Sequence, residues 1–507
     1  MENAIKAYDT YRNLLYAEGG LPENVRHDLN IDDLCERVDY TSSGIGRQYL
    51  YHLLCTDKVS EIRDYELLIE RFQTDEALRK QLTDTLIKLN KPASYTVVDI
   101  LAEEGHAYSR RYLLLLQVCR WLPLLFLSLT LLTDAPAIPF VLFVLSYVGN
   151  AYLHFKQKSV LSCYYFSIPQ LYRLMQTACR LSRIDTFTVI DRKIGMCLAD
   201  LKGLIGKLRS FRLGIALQSE SALLIFLFTE LLNVFTLYAA INVAEAFLCI
   251  RKQRKAIEQV FRFVGCLDVL CSVSYFRASL PYWCKPSETK EGERLHVRAV
   301  CHPLINHCVP NDVSLSDKSM LITGSNMSGK TSFIRTIAVN LLLGKTLHTC
   351  LAEEFRIHLN RRIHSVIHTE DDLLNGKSYF LKEAENVKEA ISIAQSGDYL
   401  LVFDELFKGT NTIERIAINA ALFQELVKRN HIILASTHDK ELTALLREHY
   451  ELYHFSETVT DNQLTFDYKL KKGIAQEGNA IKILRLYGYP DSVVKEAERI
   501  KNQSLCQ

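Results

Sequence analysis

The chain has 507 residues, with 60 Lys plus Arg against 58 Asp plus Glu and a formal net charge of +2. That length exceeds one ordinary core and predicts two or three domains. The near-balanced charge excludes a global basic excess of the kind that advertises nucleic acid, and leaves only a local basic stripe open. The 14 Cys include no CxxC pair and no Cys/His metal spacing. Cys301 and Cys308 flank His302-Pro303, a thin basis for zinc, so the cysteines read as buried or free thiols in a reducing compartment.

From the N-terminus, Met1-Glu2-Asn3-Ala4 is polar and carries no apolar signal-peptide core, which places the bulk of the chain in the cytosol. Residues 1–110 read as helical, with Leu and Ile at three-to-four spacing among charges, as in Glu61-Ile62-Arg63-Asp64-Tyr65-Glu66-Leu67-Leu68. Asp39-Tyr40-Thr41-Ser42-Ser43-Gly44-Ile45-Gly46 is a break rich in helix-start residues.

Residues 111–156 change character. Tyr112 to Thr133 is apolar apart from Gln117 and Arg120, Asp134-Ala135-Pro136 makes a turn, and Ala137 to Phe155 is apolar again. Each run approaches the roughly 20 residues that span a bilayer. Arg110 and Arg111 precede the pair, Lys156 and Lys158 follow it, and the turn has no Lys or Arg, so both ends belong in the cytosol. The alternative is a helical hairpin buried in a large core, which Arg120 favours because a charge within a span is costly. Residues 157–295 continue the helical part. Within them, Ala222 to Ile250 is apolar but interrupted by Glu230, Asn233, Asn242 and Glu245, with basic flanks on both sides. It predicts a buried or interface helix rather than a span.

From 296 to 507 short apolar strands, such as Met320-Leu321-Ile322-Thr323 and Tyr399-Leu400-Leu401-Val402-Phe403, alternate with amphipathic helices, which predicts a mostly parallel α/β sheet. Gly324-Ser325-Asn326-Met327-Ser328-Gly329-Lys330-Thr331 fits G-x-x-x-x-G-K-S/T between a strand and a helix. Its glycines let the backbone curl so that N–H groups face phosphate oxygens, and the helix that follows points its positive end at the same anion. Residues 324–332, Ser332 included, are the predicted phosphate cradle for ATP. Lys330 reaches the β- and γ-phosphates and Thr331 takes Mg²⁺. Leu400 to Phe403 ends in Asp404, a second Mg²⁺ ligand, and Glu405, which orients or deprotonates the attacking water. A further buried strand, Ile432 to Thr437, ends in His438, expected to sense the γ-phosphate.

These residues resemble the ATPase domain of the MutS DNA mismatch repair family: Thr323 through Thr331 with its Asn-Met pair, Asp404-Glu405-Leu406-Phe407-Lys408-Gly409-Thr410-Asn411-Thr412, and Ser436-Thr437-His438 followed by Glu441-Leu442. Asp371 through Phe380 is similar to the family's signature segment, and the resemblance implies that Ser378 reaches the nucleotide of a second subunit, hence a composite site in a homodimer. His302-Pro303-Leu304 matches the entry to the domain, and Gly473-Ile474-Ala475 through Gly488-Tyr489-Pro490 resembles its C-terminal helices. More faintly, Asp39 to Arg47 and Leu267 to Pro286 resemble the two ends of the family's helical core and lever domain. Ser325 and Ser328 stand where the family usually has Pro and Gly.

The resemblance implies a P-loop ATPase of ABC type, preceded by an all-α core and lever domain; the apolar hairpin at 112–155, read above as transmembrane, departs from the family by standing where its levers carry a DNA clamp. In the family two domains, including the mismatch reader, precede that core, and residues 1–35 are too short to hold them, so DNA binding is an open expectation. The leading reading is a membrane-anchored ATPase with its nucleotide domain in the cytosol. The alternative is a soluble, cytoplasmic DNA repair or recombination factor with the hairpin in its core. An ABC transporter would need an L-S-G-G-Q-like signature and more spans. The sequence leaves the protein partner unknown.

Overall fold

A computed structural model describes residues 20–102, 109–164, 167–209, 223–325, 327–367, 379–459, 464–474, 481, 484 and 487–504. They form two units. One comprises 39–52 and 65–275, and the other comprises 20–38, 53–64 and the residues from 276 onward.

The first unit is helical. The predicted break becomes the start of helix Gly44–Cys55, where Ser43 Oγ accepts from the Gly46 N–H at 2.9 Å, satisfying one of the donors that a helix start leaves open. The same serines meet Asp268, which is fully buried on helix Arg254–Ser279. Its carboxylate accepts from Ser42 N at 2.8 Å, Ser43 N at 2.9 Å and Ser43 Oγ at 2.5 Å. Burial pushes this carboxyl up to about 7 against the pull of those hydrogen bonds. Gly46 faces it so closely that a Cβ there would lie 2.1 Å from Asp268 Oδ2.

The apolar hairpin is three helices: Arg110–Cys119, Leu122–Leu132 and Ala137–Tyr164. The first predicted run breaks at Arg120-Trp121, with the Arg120 guanidinium over the Trp121 ring at 5.0 Å. Pro123 occupies the first turn of the next helix, a place where its missing N–H is not needed. By length and composition Arg110–Leu132 and Ala137–Lys156 are both able to cross a membrane, and only 11% of each stretch is buried. Leu131, Leu132 and Ile138 near the turn are 79%, 81% and 72% exposed. The described residues of this chain therefore do not wrap the hairpin into a core.

Ala222 to Ile250 differs from the single helix expected. It forms Leu223–Thr236 and Tyr238–Lys252, broken at Leu237 with φ 49°, the segment Glu230–Thr236 lying at 67° to the second helix. The second half fits the expectation, burying Ala240, Ile241, Val243, Ala244, Phe247 and Ile250. The first half exposes Phe228, Leu231 and Leu232. The charges that interrupt the run are paired: Glu230 Oε2 with His154 Nε2 at 3.0 Å and Glu245 Oε2 with Lys207 Nζ at 2.6 Å.

The second unit is α/β. Its strands are β1 (Leu295–Val300), β2 (Asn311–Leu315), β3 (Ser319–Thr323), β4 (Glu354–Ile357), β5 (Arg362–Val366), β6 (Tyr399–Asp404), β7 (Ile432–Thr437), β8 (Tyr450–His454), β9 (Glu457–Val459), β10 (Leu464–Phe466) and β11 (Lys471–Lys472). An antiparallel sheet runs β2-β1-β4, β9 and β10 pair antiparallel, and the main sheet runs β11-β8-β3-β7-β6-β5. All main-sheet pairings are parallel except β11 with β8. Buried on both faces, β3, β6 and β7 read as unbroken apolar runs. Their register pairs Thr323 with Thr437 and Asp404 with Ser436, so three strands end level with one another. N-terminal segments join this unit through buried carboxylates. Asp28 Oδ2 accepts from Ser365 Oγ at 2.7 Å and Ile367 N at 3.0 Å, and Asp57 Oδ1 pairs with Lys345 Nζ at 2.5 Å.

Because the Cβ of Gly46→Ala would collide with a buried carboxylate that holds two backbone amides, this substitution should cost about 3 kcal/mol in chemical unfolding of the full chain. A change within about 0.5 kcal/mol, the range of an ordinary surface substitution, would contradict the packing described.

Candidate active site

The loop after β3 turns on two glycines. Gly324 has φ 150°, and a Cβ on it would stand 2.9 Å from the Phe455 carbonyl oxygen. Gly329 has φ 109° and precedes helix Lys330–Leu347, its missing Cβ leaving room for the Tyr468 ring at 3.3 Å. Ser328 Oγ closes the loop by donating to Ser325 O at 2.8 Å, and Ser325 Oγ donates to Glu457 Oε2 at 2.7 Å. The N–H groups of Lys330, Thr331 and Ser332 open the helix, where no preceding turn supplies acceptors and the helix dipole is positive. Met327 (φ 67°) and Ser332 are exposed. Asn326 lies outside the described residues, as does Ser378.

Lys330 is buried, and its ammonium sits at the convergence of the three strand ends. Nζ donates to Gly324 O at 2.9 Å and Ser325 O at 2.8 Å, and lies 3.4 Å from both Glu405 Oε1 and His438 Nε2. Burial draws its pKa down despite the attraction of Glu405. Glu405 moves in the same direction for a different reason. Burial pushes its carboxyl up, but hydrogen bonds from His438 (2.5 Å) and Lys408 (2.8 Å), with the charge of Lys330, outweigh that and hold it at about 2. Glu405 is in the left-handed region at φ 48°, followed by Phe407 at 61°. Such backbone costs on the order of 1 kcal/mol per residue and persists only when neighbours enforce it. Here the Glu405 N–H donates to Ser436 O on β7 at 3.1 Å.

Thr331 Oγ1 donates to Asp404 Oδ2 at 2.8 Å, and the other carboxylate oxygen accepts from Ser436 Oγ. A threonine hydroxyl beside an oriented carboxylate is a hard-oxygen pair of the kind Mg²⁺ prefers. Together with the buried ammonium and the open helix N-terminus, it fits a magnesium nucleotide. No group of three or more His, Cys, Asp or Glu side chains suited to a metal occurs among the described residues, so this pair would rely on water and phosphate for its remaining ligands.

The structure thus brings Lys330, Thr331, Asp404, Glu405 and His438 together. Reading the sequence missed their supports. Ser436 orients Asp404, and Lys408 neutralises Glu405. Arg415 grips Asp439, next to His438, at 2.6 and 2.9 Å, while the Asp439 N–H donates to Thr437 Oγ1 at 3.0 Å. Ser436 was open to inference, since aligning the ends of two parallel strands pairs it with Asp404. Tyr468 and Glu457 had no local signal, because their contacts with the loop depend on β8 lying beside β3.

A strand, a glycine loop and a helix stand on one parallel sheet with a strand ending in Asp-Glu. Residues 320–504 match the model of MutS domain V. The chain is similar to proteins named DNA mismatch repair protein MutS. That of Thermus thermophilus is 31% identical over 263 residues, covering 50% of this chain and 32% of the relative. That of Aquifex pyrophilus is 34% identical over 246 residues, 47% and 28%, and that of Natronomonas pharaonis 29% over 269 residues, 50% and 31%. Residues 320–504 thus form a MutS-family domain, and the chain spans about a third of the length of the curated relatives it matches.

A carboxylate held near 2 contributes stability that is fully present above its ordinary value of 4.5 and disappears as pH falls through about 2. Glu405→Gln should therefore be less stable than the native chain at pH 7, and the gap should close on acidification from pH 5 toward pH 2. Urea unfolding of both across that window measures it; a gap that widens with acid would contradict the assigned environment.

Proposed function

We propose that this chain is a MutS-type ATP hydrolase, membrane-anchored through 112–155, in which nucleotide binding and hydrolysis drive the closing and opening of a homodimer. The observation that carries the hydrolase reading is the meeting of Lys330, the Thr331–Asp404 pair and the Glu405–His438 pair at three level strand ends.

Lys330 exchanges the loop carbonyls and Glu405 for the β- and γ-phosphates, while the opening N–H groups of its helix hold phosphate oxygens. Thr331 and Asp404 would hold Mg²⁺, which would supply positive charge to the phosphate oxygens. Release of Lys330 frees one side of Glu405, which orients the attacking water. His438, within reach of both Glu405 and Lys330, carries the state of the γ-phosphate to β7. Ser378 completes the site of the second subunit. ATP, Mg²⁺ and a like chain are the cofactors and partner this reading requires.

The anchor is supported by two apolar helical stretches that lie mostly unburied and by basic residues at both outer ends. It sets the nucleotide domain on the cytosolic side. The name carried by the relatives makes DNA, paired or mispaired, the first candidate to stimulate turnover. A soluble, cytoplasmic DNA-binding factor remains the competing reading, with a partner in place of a bilayer over the hairpin.

Lys330→Ala should lose nucleotide binding. Glu405→Gln should retain it while turnover falls by about 100-fold or more, the usual scale for a lost catalytic carboxylate; normal turnover in Glu405→Gln would contradict its role. Ser378→Ala should hydrolyse slowly alone and recover part of its rate when mixed with Lys330→Ala, because one composite site in the mixed dimer is then intact. No recovery would argue against sharing. After a high-salt wash the full chain should stay in the membrane pellet and leave it only with detergent; release by salt would favour the soluble reading.

A further inference from the structure

Cys301 and Cys308 lie at the two ends of the turn between β1 and β2, and both are partly exposed. Their sulfurs are brought together by the turn itself. Cys308 Sγ accepts from the His302 N–H at 3.2 Å and donates to Val309 O at 3.8 Å, while Cys301 Sγ donates to Cys308 O at 3.5 Å, so each sulfur sits against the backbone at the other end of the turn. The Tyr282 hydroxyl sits 3.2 Å from Cys301 Sγ. The pair is asymmetric. The neighbouring Cys308 thiol, with Tyr282 and Lys469, draws Cys301 down to about 6 against its burial, whereas the neighbouring Cys301 sulfur and burial push Cys308 up. Cys197, Cys271, Cys284 and Cys350 are instead pushed up, chiefly by burial, and so made unreactive.

The turn is tied to the phosphate loop twice. Cys301 O accepts from Asn340 Nδ2 at 3.0 Å, on the helix that begins at Lys330, and its N–H donates to Leu351 O at 2.9 Å. Beyond Cys308, Asn311 Nδ2 donates to Tyr468 O at 2.9 Å and Asn311 Oδ1 accepts from Leu470 N at 2.7 Å, fixing the tyrosine whose ring covers Gly329.

We propose that Cys301 and Cys308 form a reversible disulfide that loosens nucleotide binding when the thiol pool becomes oxidised. The oxidant is a small-molecule disulfide such as oxidised glutathione. The Cys301 thiolate attacks one of its sulfurs, the S–S bond breaks, and one glutathione thiolate leaves with the bonding electrons. Cys308 gives its proton to solvent and attacks the Cys301 sulfur, expelling the second glutathione thiolate. The protein has lost two electrons, the oxidant has gained them, and the two leaving thiolates take up protons. Drawing the two sulfurs into a bond of about 2.05 Å pulls on both ends of the turn, and so on Asn340 and Tyr468.

The effect on nucleotide rests on the ATP-site reading, while disulfide formation does not. The full chain is incubated in a series of oxidised-to-reduced glutathione ratios, alkylated, digested and mapped by mass spectrometry. The 301–308 crosslink should form at a lower ratio than any other cysteine modification, and Cys308→Ser should stop at a glutathione adduct on Cys301. A 301–308 pair that stays reduced while other cysteines react overturns the proposal, as does an uncrosslinked adduct on Cys301 in the native chain. ATP affinity measured on the same samples should fall about fivefold or more on crosslinking, the low end of ordinary coupling between sites, and return with dithiothreitol. Unchanged affinity in crosslinked protein overturns the coupling. Absence of binding in reduced protein would instead count against the ATP site itself.

Discussion

A buried ammonium must be surrounded by oxygen or it will not stay charged. Lys330 meets that demand with two carbonyls of its own loop and the carboxylate of Glu405. The carbonyls come from the glycine turn after β3, while the carboxylate comes from the end of β6, two strands away in the sheet. Only a parallel register that ends β3, β7 and β6 at one level can supply both. The left-handed backbone at Glu405 is the local consequence, since it turns the residue after the strand back over the sheet edge. Open parallel sheets bind ligands at this edge, beyond the carboxyl ends of their strands.

How much of this could be read from the sequence depended on whether a feature is local. The phosphate loop, the Asp-Glu pair and the terminal histidine are short strings whose chemistry is written in neighbouring residues, and the buried strands before them are unbroken apolar runs. The supports are not local. Ser436 serves Asp404 across 32 residues and Glu457 serves Ser325 across 132, so their roles exist only once the strand order is known. Asp268 anchors Ser42 and Ser43 across about the same two hundred residues that hold the hairpin, and no periodicity announces it. The break at Leu237 was hidden because neither Gly nor Pro marks it, while Glu230 and Glu245, which looked like obstacles to an apolar helix, each found a basic partner.

The helical unit poses a different physical problem. Apolar side chains over two long helical stretches lie largely uncovered by the described residues of this chain, and an exposed surface of that extent calls for lipid or protein against it. Arg120, the residue that most opposed a span, stacks on Trp121 at a break between helices. The hairpin is the feature that separates this chain's expected task from that implied by the relatives' name.

The central claim is that Thr331 and Asp404 jointly form the magnesium end of a triphosphate site. Equilibrium binding of ATP with and without Mg²⁺, in the native chain and in Asp404→Asn, tests it most directly. The account predicts that Mg²⁺ tightens binding in the native chain and that Asp404→Asn removes most of this gain while leaving metal-free binding in place. An equal gain from Mg²⁺ in both proteins would contradict it.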